Sequence, residues 1–374
     1  MKIHNPRHLA LLLSLCAAAQ AAPIYVQTST TNRWGGNGTY HNPYTSLQKA
    51  YENANPGDTI YLKAGVHRPM AQEVLVNRKG TAQAPITIQS ESGQWAVLDF
   101  ADTPAGHSGI VVSATSQYVH IKHLEVRNAK NIGIDLSAYD NRVENCIIHH
   151  TQSAGIRVYA SYNTIVGNTV YEANRQNRNA DGTPGVAGKE QISGIDLYNV
   201  AHVTVRGNTV YHVYGEGILF QRSRNITITE NTVRDCYSTN YYIDNSRDSW
   251  VTSNQSTSNN TTRFYRYGMP ANGIMAAIEN TGIPPDLRNV TIGWNTVQKA
   301  NKGFYFWNFN AGSMQSCDIN GNSLLTPYNK VIEIMSGAHA GNQVRNNTFD
   351  VTTTAAQQIL IPASGFAQSN NTIQ

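Results

Sequence analysis

Charge is sparse along this chain. Asp, Glu, Lys and Arg together make up 14% of the residues, with a mild net charge of +4. No run of Lys or Arg gathers anywhere, which excludes the basic patch or stripe of a nucleic-acid binder and suits a neutral or acidic glycan. Cysteine is scarcer still, four in all, with Cys16 in the apolar N-terminal stretch. The other three, Cys146, Cys236 and Cys317, are odd in number and give no disulfide framework. They lie in or beside apolar strands and read as buried thiols. No Cys/His spacing suggests a zinc site. Beyond residue 21 no apolar run is long enough to span a bilayer.

The start of the chain is different. Lys2, Arg7 and His8 lead into the apolar run Leu9–Ala19, and Ala-Gln-Ala follows at 19–21. That is the pattern of a secretory signal peptide cut after Ala21. Residues 22–374 are then expected as a single exported domain, secreted or periplasmic by a Gram-negative-type Sec route, with no membrane association after cleavage and no oligomer.

What fills the chain is repetition. The stretch Gly194–Val210, GIDLYNVAHVTVRGNTV, carries a short apolar strand, a polar turn, Val-x-Val, an Asn and another apolar strand. The Asn returns at 145, 168, 208, 231, 254, 295, 322 and 347, mostly in steps of 23 to 27 residues with two near 40. A period of that size marks a stacked-repeat architecture. Three strands per coil give an all-β, right-handed parallel β-helix of about 10–12 coils. Asn is expected at the corner between the second and third strands, left-handed and bonded to the Asn of the next coil. SLQKAYENA (46–54) has helical apolar spacing at Leu47, Ala50, Tyr51 and Ala54, with Thr45 or Ser46 as N-cap. It reads as a terminal cap at about 45–55.

The long steps locate loops at about 174–192 and 257–271. Both precede a first strand, so both are expected to stand as walls beside the face of the Gly-Ile-x-Leu strands. NTGIPPD (280–286) follows a first strand and is expected on the other side. Function usually travels on such loops. Period-2 alternation turns every second residue of a first strand outward. One column then reads Asp135, Arg157, Asp196, Leu219, Tyr242, Met275, Tyr305 and Glu333. The next reads Tyr159, Tyr198, Gln221, Asp244, Ala277 and Trp307. Asp135, Arg157 and Asp196 stack acid, base, acid at about 4.8 Å per rung, and Arg157 is expected to keep both acids ionised.

These columns and loops supply the candidate site. Arg157, Lys189, Asp196 and Asp135 are the candidate catalytic groups. Tyr159, Tyr198, Gln221, Tyr242, Arg263, Arg266 and Trp307 suit sugar rings and carboxylates. Asp135, Asp196 and Asp244 could hold Ca²⁺ through oxygen ligands. His149, His150, His202 and His212 share no outward column and read as packing or surface residues.

The lead-in NPYTSLQKAYENANPGDTIYLKAGVH, the segment GTAQAPITIQSESG and the coils resemble secreted bacterial β-helix polysaccharide lyases. The resemblance is to family 9, which includes pectate lyases, and more loosely to family 6. It implies calcium held by Asp residues on consecutive first strands and a Lys base on a following one. Asp196 matches one such Asp. Ile192 and Ser193 stand where paired acids are expected, Ala154 where another Asp is, and Leu219 where the Lys is. The resulting expectation is β-elimination on an acidic, uronate-containing polysaccharide. An inverting glycoside hydrolase using Asp135 and Asp196 is the alternative, and a glycan-binding or structural β-helix is the other.

Overall fold

The computed structural model describes residues 22–186, 189, 192–279, 286–309, 312–351 and 358–374. The expected signal peptide and residues 280–285 lie outside them. Three parallel sheets of 11, 14 and 12 strands run the length of the molecule. Call them sheet I (first strands), sheet II (second strands) and sheet III (third strands). In register, Ile134, Ile156, Ile195 and Ile218 follow one another up sheet I. Val170, Val210 and Val233 do the same in sheet III. All of them are buried, so like stacks on like and the core is a column of aliphatic layers. The three later cysteines are buried free thiols, as expected.

The helix Leu47–Glu52 covers the N-terminal end, and the Ser46 hydroxyl accepts from the Lys49 amide at 3.0 Å. Leu47, Ala50 and Tyr51 face the core. A strand end that would otherwise offer unpaired edges is thereby closed.

The Asn ladder forms, with a shift in detail. Asn168, Asn208, Asn231, Asn254, Asn295, Asn322 and Asn347 each donate a side-chain Nδ2 to the Oδ1 of the next, ending on Asn371, at 2.9–3.0 Å. Their backbone amides do the same at 2.8–3.0 Å. Asn145 is not a rung: Cys146 takes the place, its amide donating to Asn168. Nor are the rung residues left-handed. The positive φ falls one residue earlier, at Gly167, Gly207, Glu230, Ser253 and Trp294. That residue makes the corner, and the Asn after it is free to turn its amide inward, where it bonds along the stack.

Sheet I enters most of its coils through a glycine with no room for a side chain. A Cβ on Gly217 would lie 2.3 Å from Val233 Cγ1, and one on Gly194 would lie 2.7 Å from Val210 Cγ1. Gly273 and Gly303 are closed in the same way by Val297 and by the Val331 carbonyl. Glycine and the apolar residue after it therefore both turn inward. The alternation slips by one, and the residue before the glycine faces out. Asn240 replaces the glycine in one coil, and its amide meets Ser256 Oγ at 2.8 Å, where neighbouring coils carry Val233 and Val297.

Candidate active site

The Asp135–Arg157–Asp196 ladder is in the expected register. Arg157 Nε donates to Asp196 Oδ2 at 3.0 Å, and its other nitrogens reach Tyr159 Oη and Ser153 Oγ at 3.3 and 3.4 Å. Asp135 accepts from Ser137 at 3.1 Å. Burial raises the pKa of both Asp135 and Asp196, and the Arg157 charge offsets this only in part. Arg157 also stands on the rung between the two acids, where the water of an inverting hydrolase would have to sit. Its side chain and that of Asp196 are 15% and 11% exposed, so this is a buried ion pair. Removing one partner strands the other: Arg157→Ala should lower stability by about 3–5 kcal/mol, readable as an earlier midpoint in urea unfolding.

The cavity lies further along the same face, with a volume of about 570 Å³. Glu216, Tyr242, Met275, Tyr305 and Trp307 line it from sheet I, Glu279 from just past a sheet I strand, and Arg266, Tyr267 and Pro270 from the 257–271 loop. Its floor is a small apolar cluster of Leu219, Tyr242 and Ala277 with Met275 and Trp307 packed on it. Leu219 and Tyr242 point away from the main core yet are only 7% and 8% exposed. Of the expected substrate-binding residues, Tyr242, Arg266 and Trp307 line this cavity.

Three ionisable cavity residues escaped the sequence reading. Glu216 precedes Gly217, so strict alternation counted it as inward, whereas it lines the cavity at 4% exposure. Burial, with the Asp196 and Glu279 charges adding, pushes its carboxyl up to about 8. Lys302 precedes Gly303 in the same way; it pairs with Glu333 and lies 3.5 Å over the Tyr305 ring. Glu279, at the edge of the 280–286 loop, accepts from the Tyr242 hydroxyl. Burial first, then the Glu279 charge, raises the Tyr242 pKa well above its ordinary value, so the phenol stays protonated.

Arg266 is a second cation of the cavity, beside the Lys302 that pairs with Glu333. Its guanidinium lies 5.5 Å from the centres of the Tyr237 and Tyr267 rings and donates to Ser238 Oγ at 3.2 Å. Among the described residues it has no carboxylate partner, and its Nε is buried without a hydrogen bond.

The remaining candidates sit elsewhere. Arg263 was expected to face the groove, but it turns to Glu172, whose other oxygen accepts from Tyr214 at 3.1 Å. It anchors the loop rather than a ligand. Lys189 is exposed, and its carbonyl accepts from Asn174 at 2.8 Å. Tyr159 and Tyr198 meet edge to face at 6.2 Å, and Tyr198 Oη accepts from Arg222 at 2.9 Å. Gln221 donates to Asp244, as their shared column implies.

The calcium set does not assemble. Asp196 is held by Arg157 and Asp135 by Ser137. Asp244 is fully buried and accepts from Gln221, Asn245 and the Glu279 amide, with burial pushing its carboxyl up to about 6. Among the described residues, no group of three or more His, Cys, Asp or Glu side chains converges to hold a metal ion. The three aspartates therefore do not fit a shared Ca²⁺.

Comparison with known proteins accords with this architecture. Over 164 residues the chain is 27% identical to pectate lyase L of Dickeya chrysanthemi, an alignment covering 41% of this chain and 39% of that protein. The chain thus spans well under half the length of that curated relative. The crystal structure of pectate lyase Pel9A superposes with a TM-score of 0.55 at 16% identity, over 86% of this chain and 80% of the other. An endo-xylogalacturonan hydrolase from Aspergillus tubingensis does so with a TM-score of 0.54 at 12% identity, over 94% and 100%. At such identities these two matches speak to fold alone. Residues 24–191 match the family described as a Pel9A-like, right-handed β-helix region. Residues 108–282 and 189–373 match the right-handed β-helix region family. With those two stretches running together from residue 108 to 373, the chain belongs to the right-handed β-helix family.

Proposed function

We propose that this protein is an exported polysaccharide lyase that cleaves an acidic, uronate-containing glycan by β-elimination. The observation that carries the reading is Arg266: a guanidinium in a half-enclosed cavity with no carboxylate partner among the described residues. An uncompensated cation at a sugar-sized groove suits a uronate carboxylate. The pectate lyase relatives support the reaction class.

The chemistry needs three groups. Arg266 neutralises the substrate carboxylate, which acidifies the neighbouring C5 proton. Glu216, once ionised, takes that proton; a carboxyl titrating at about 8 is a strong base when charged. The C5–H electrons form the C4–C5 double bond, and the C4–O4 bond breaks. The Tyr242–Glu279 pair holds one proton between phenol and carboxylate and delivers it to the leaving O4. Trp307 and Tyr267 offer flat faces to the sugars.

Uronate polymers of plant and bacterial origin should give absorbance in the unsaturated-uronate band, rising with reducing ends. Arg266→Ala should lower kcat/KM by about 10²-fold, the scale of losing one preorganised donor. Reducing ends without absorbance would make the protein a hydrolase. Measurable glycan binding with neither signal would leave a binding module.

A further inference from the structure

Asp58 is a buried carboxylate with no cation to answer it among the described residues. It stands just before the strand Thr59–Leu62. Its oxygens accept from the Asn55 amide at 2.8 Å, from Asn55 Nδ2 at 3.5 Å and from the Ala22 backbone nitrogen at 2.9 Å. In the chain as translated all three donors are neutral. A buried charge is costly unless an opposite charge pairs with it.

One of those donors can change its charge. Ala22 directly follows the Ala-Gln-Ala pattern at 19–21. Hydrolysis there adds water across the Ala21–Ala22 amide. The leader departs with the Ala21 carboxylate, and Ala22 keeps its nitrogen as an ammonium with three donors. One of them already has its acceptor in Asp58. Ala22 is exposed, so the other two meet water. The neutral hydrogen bond becomes a charge-assisted one, roughly twice as strong. The position is selective. A cut after Ala19 would leave Ala22 as a neutral amide, and a cut after Ala22 would remove the nitrogen.

The register puts this pair where it closes the molecule. Pro23 lies opposite Thr59, so Ala22 and Asp58 begin the same rung. The strand Pro23–Val26 is the end strand of sheet II, and it buries Ile24 and Val26. It also holds the lead-in segment. The Tyr25 amide donates to the Gly38 carbonyl, and the Tyr44 amide to the Tyr25 carbonyl, each at 2.9 Å.

Resting on the export part of the proposed function, we propose that Asp58 is the receptor for the α-ammonium created by cleavage between Ala21 and Ala22. The ion pair locks the end strand only after the leader has gone. Precursor and exported protein therefore differ in how firmly the N-terminal end of the solenoid is closed.

The full-length chain would be expressed in a Gram-negative host, and the exported protein sequenced from its N-terminus. The expected first residue is Ala22. A second form would carry Gly-Ser ahead of Ala22, which keeps the N–H donor but not its charge. Hydrogen exchange at the Tyr25 and Tyr44 amides reads local opening of the strand. It should run about fivefold slower in the processed form, the scale of replacing a neutral hydrogen bond by a charge-assisted one. In Asp58→Asn the two forms should exchange alike within about twofold. The comparison of the two wild-type forms stands by itself if that variant fails to fold. Equal exchange in those forms overturns the inference, as does a different first residue or a difference that survives in Asp58→Asn. A chain recovered with residues 1–21 still attached fails the export reading as well. An exported protein that begins at Ala22 and releases unsaturated uronate, yet exchanges alike in both forms, keeps the proposed function and loses the Asp58 lock.

Discussion

Glu216→Gln should reduce elimination by about 10²–10⁴-fold, the range for removing a positioned general base, while making the protein more stable at neutral pH. The two effects share one cause. The Glu216 carboxyl is buried, with an oxygen that finds no partner, and its pKa is pushed up to about 8. A folded-state pKa above the unfolded value means that the native state holds the proton more tightly. Stability from this group is therefore full at pH below the unfolded carboxyl value of about 4.3 and declines as pH rises toward 8. Glutamine has no charge to bury, so the variant's thermal midpoint should exceed that of wild type across this window, and the gap should widen with pH. Catalysis runs the opposite way. A base must be ionised, so kcat/KM of the wild type should climb as pH passes through about 8. If Glu216 served as a hydrolase's general acid, activity would instead fall through the same range. A variant with wild-type turnover would remove Glu216 from the mechanism.

The second large effect belongs to the scaffold. Asn231→Ala should cost about 3–5 kcal/mol. Its Nδ2 donates to the Val205 and Thr229 carbonyls at 2.9 Å and to Asn254 Oδ1 at 3.0 Å. Its Oδ1 accepts the amide and side chain of Asn208 at 2.9 and 3.0 Å. Alanine leaves these neighbours without partners in a layer that is fully buried. The methyl group cannot replace them, and the ladder is broken at its centre rather than at an end. Urea unfolding should show the midpoint moving to lower concentration. A loss below about 1 kcal/mol would mean that water re-satisfies the corner.

The scaffold was readable from the chain because a solenoid writes its period into the sequence. Asn208, Asn231 and Asn254 recur at fixed steps, and Ile195 and Ile218 recur with them. Such residues answer only to neighbours one coil away. The N-cap at Ser46 was readable for the same local reason. The active cavity was less so. Asp135, Arg157 and Asp196 were placed correctly on consecutive rungs, where Arg157 pairs with Asp196 and Asp135 accepts from Ser137. Arg266 was found because it lies on a long loop, whereas Arg263, three residues away, turns to Glu172 by a contact 91 residues apart in sequence. Glu216 and Lys302 were missed because strict alternation was carried through Gly217 and Gly303. The signal was present: a glycine before an apolar residue leaves two successive inward positions, and only a glycine fits the first, against Val233 at Gly217 and against the Val331 carbonyl at Gly303.

Those glycines also divide the labour of each coil. Ile218 and Phe304 are answerable to the interior, whereas Glu216 and Lys302, two positions earlier, line the cavity. Along that line the residues run Ser193, Glu216, Thr239, Asn272, Lys302 and Lys330: a hydroxyl, an acid, a hydroxyl, an amide and two amines, one to a coil. Each coil acts as a socket whose fitting can be exchanged while the frame stays as it is. A new chemistry on this face can therefore arise one substitution at a time, without the aliphatic stack registering the change.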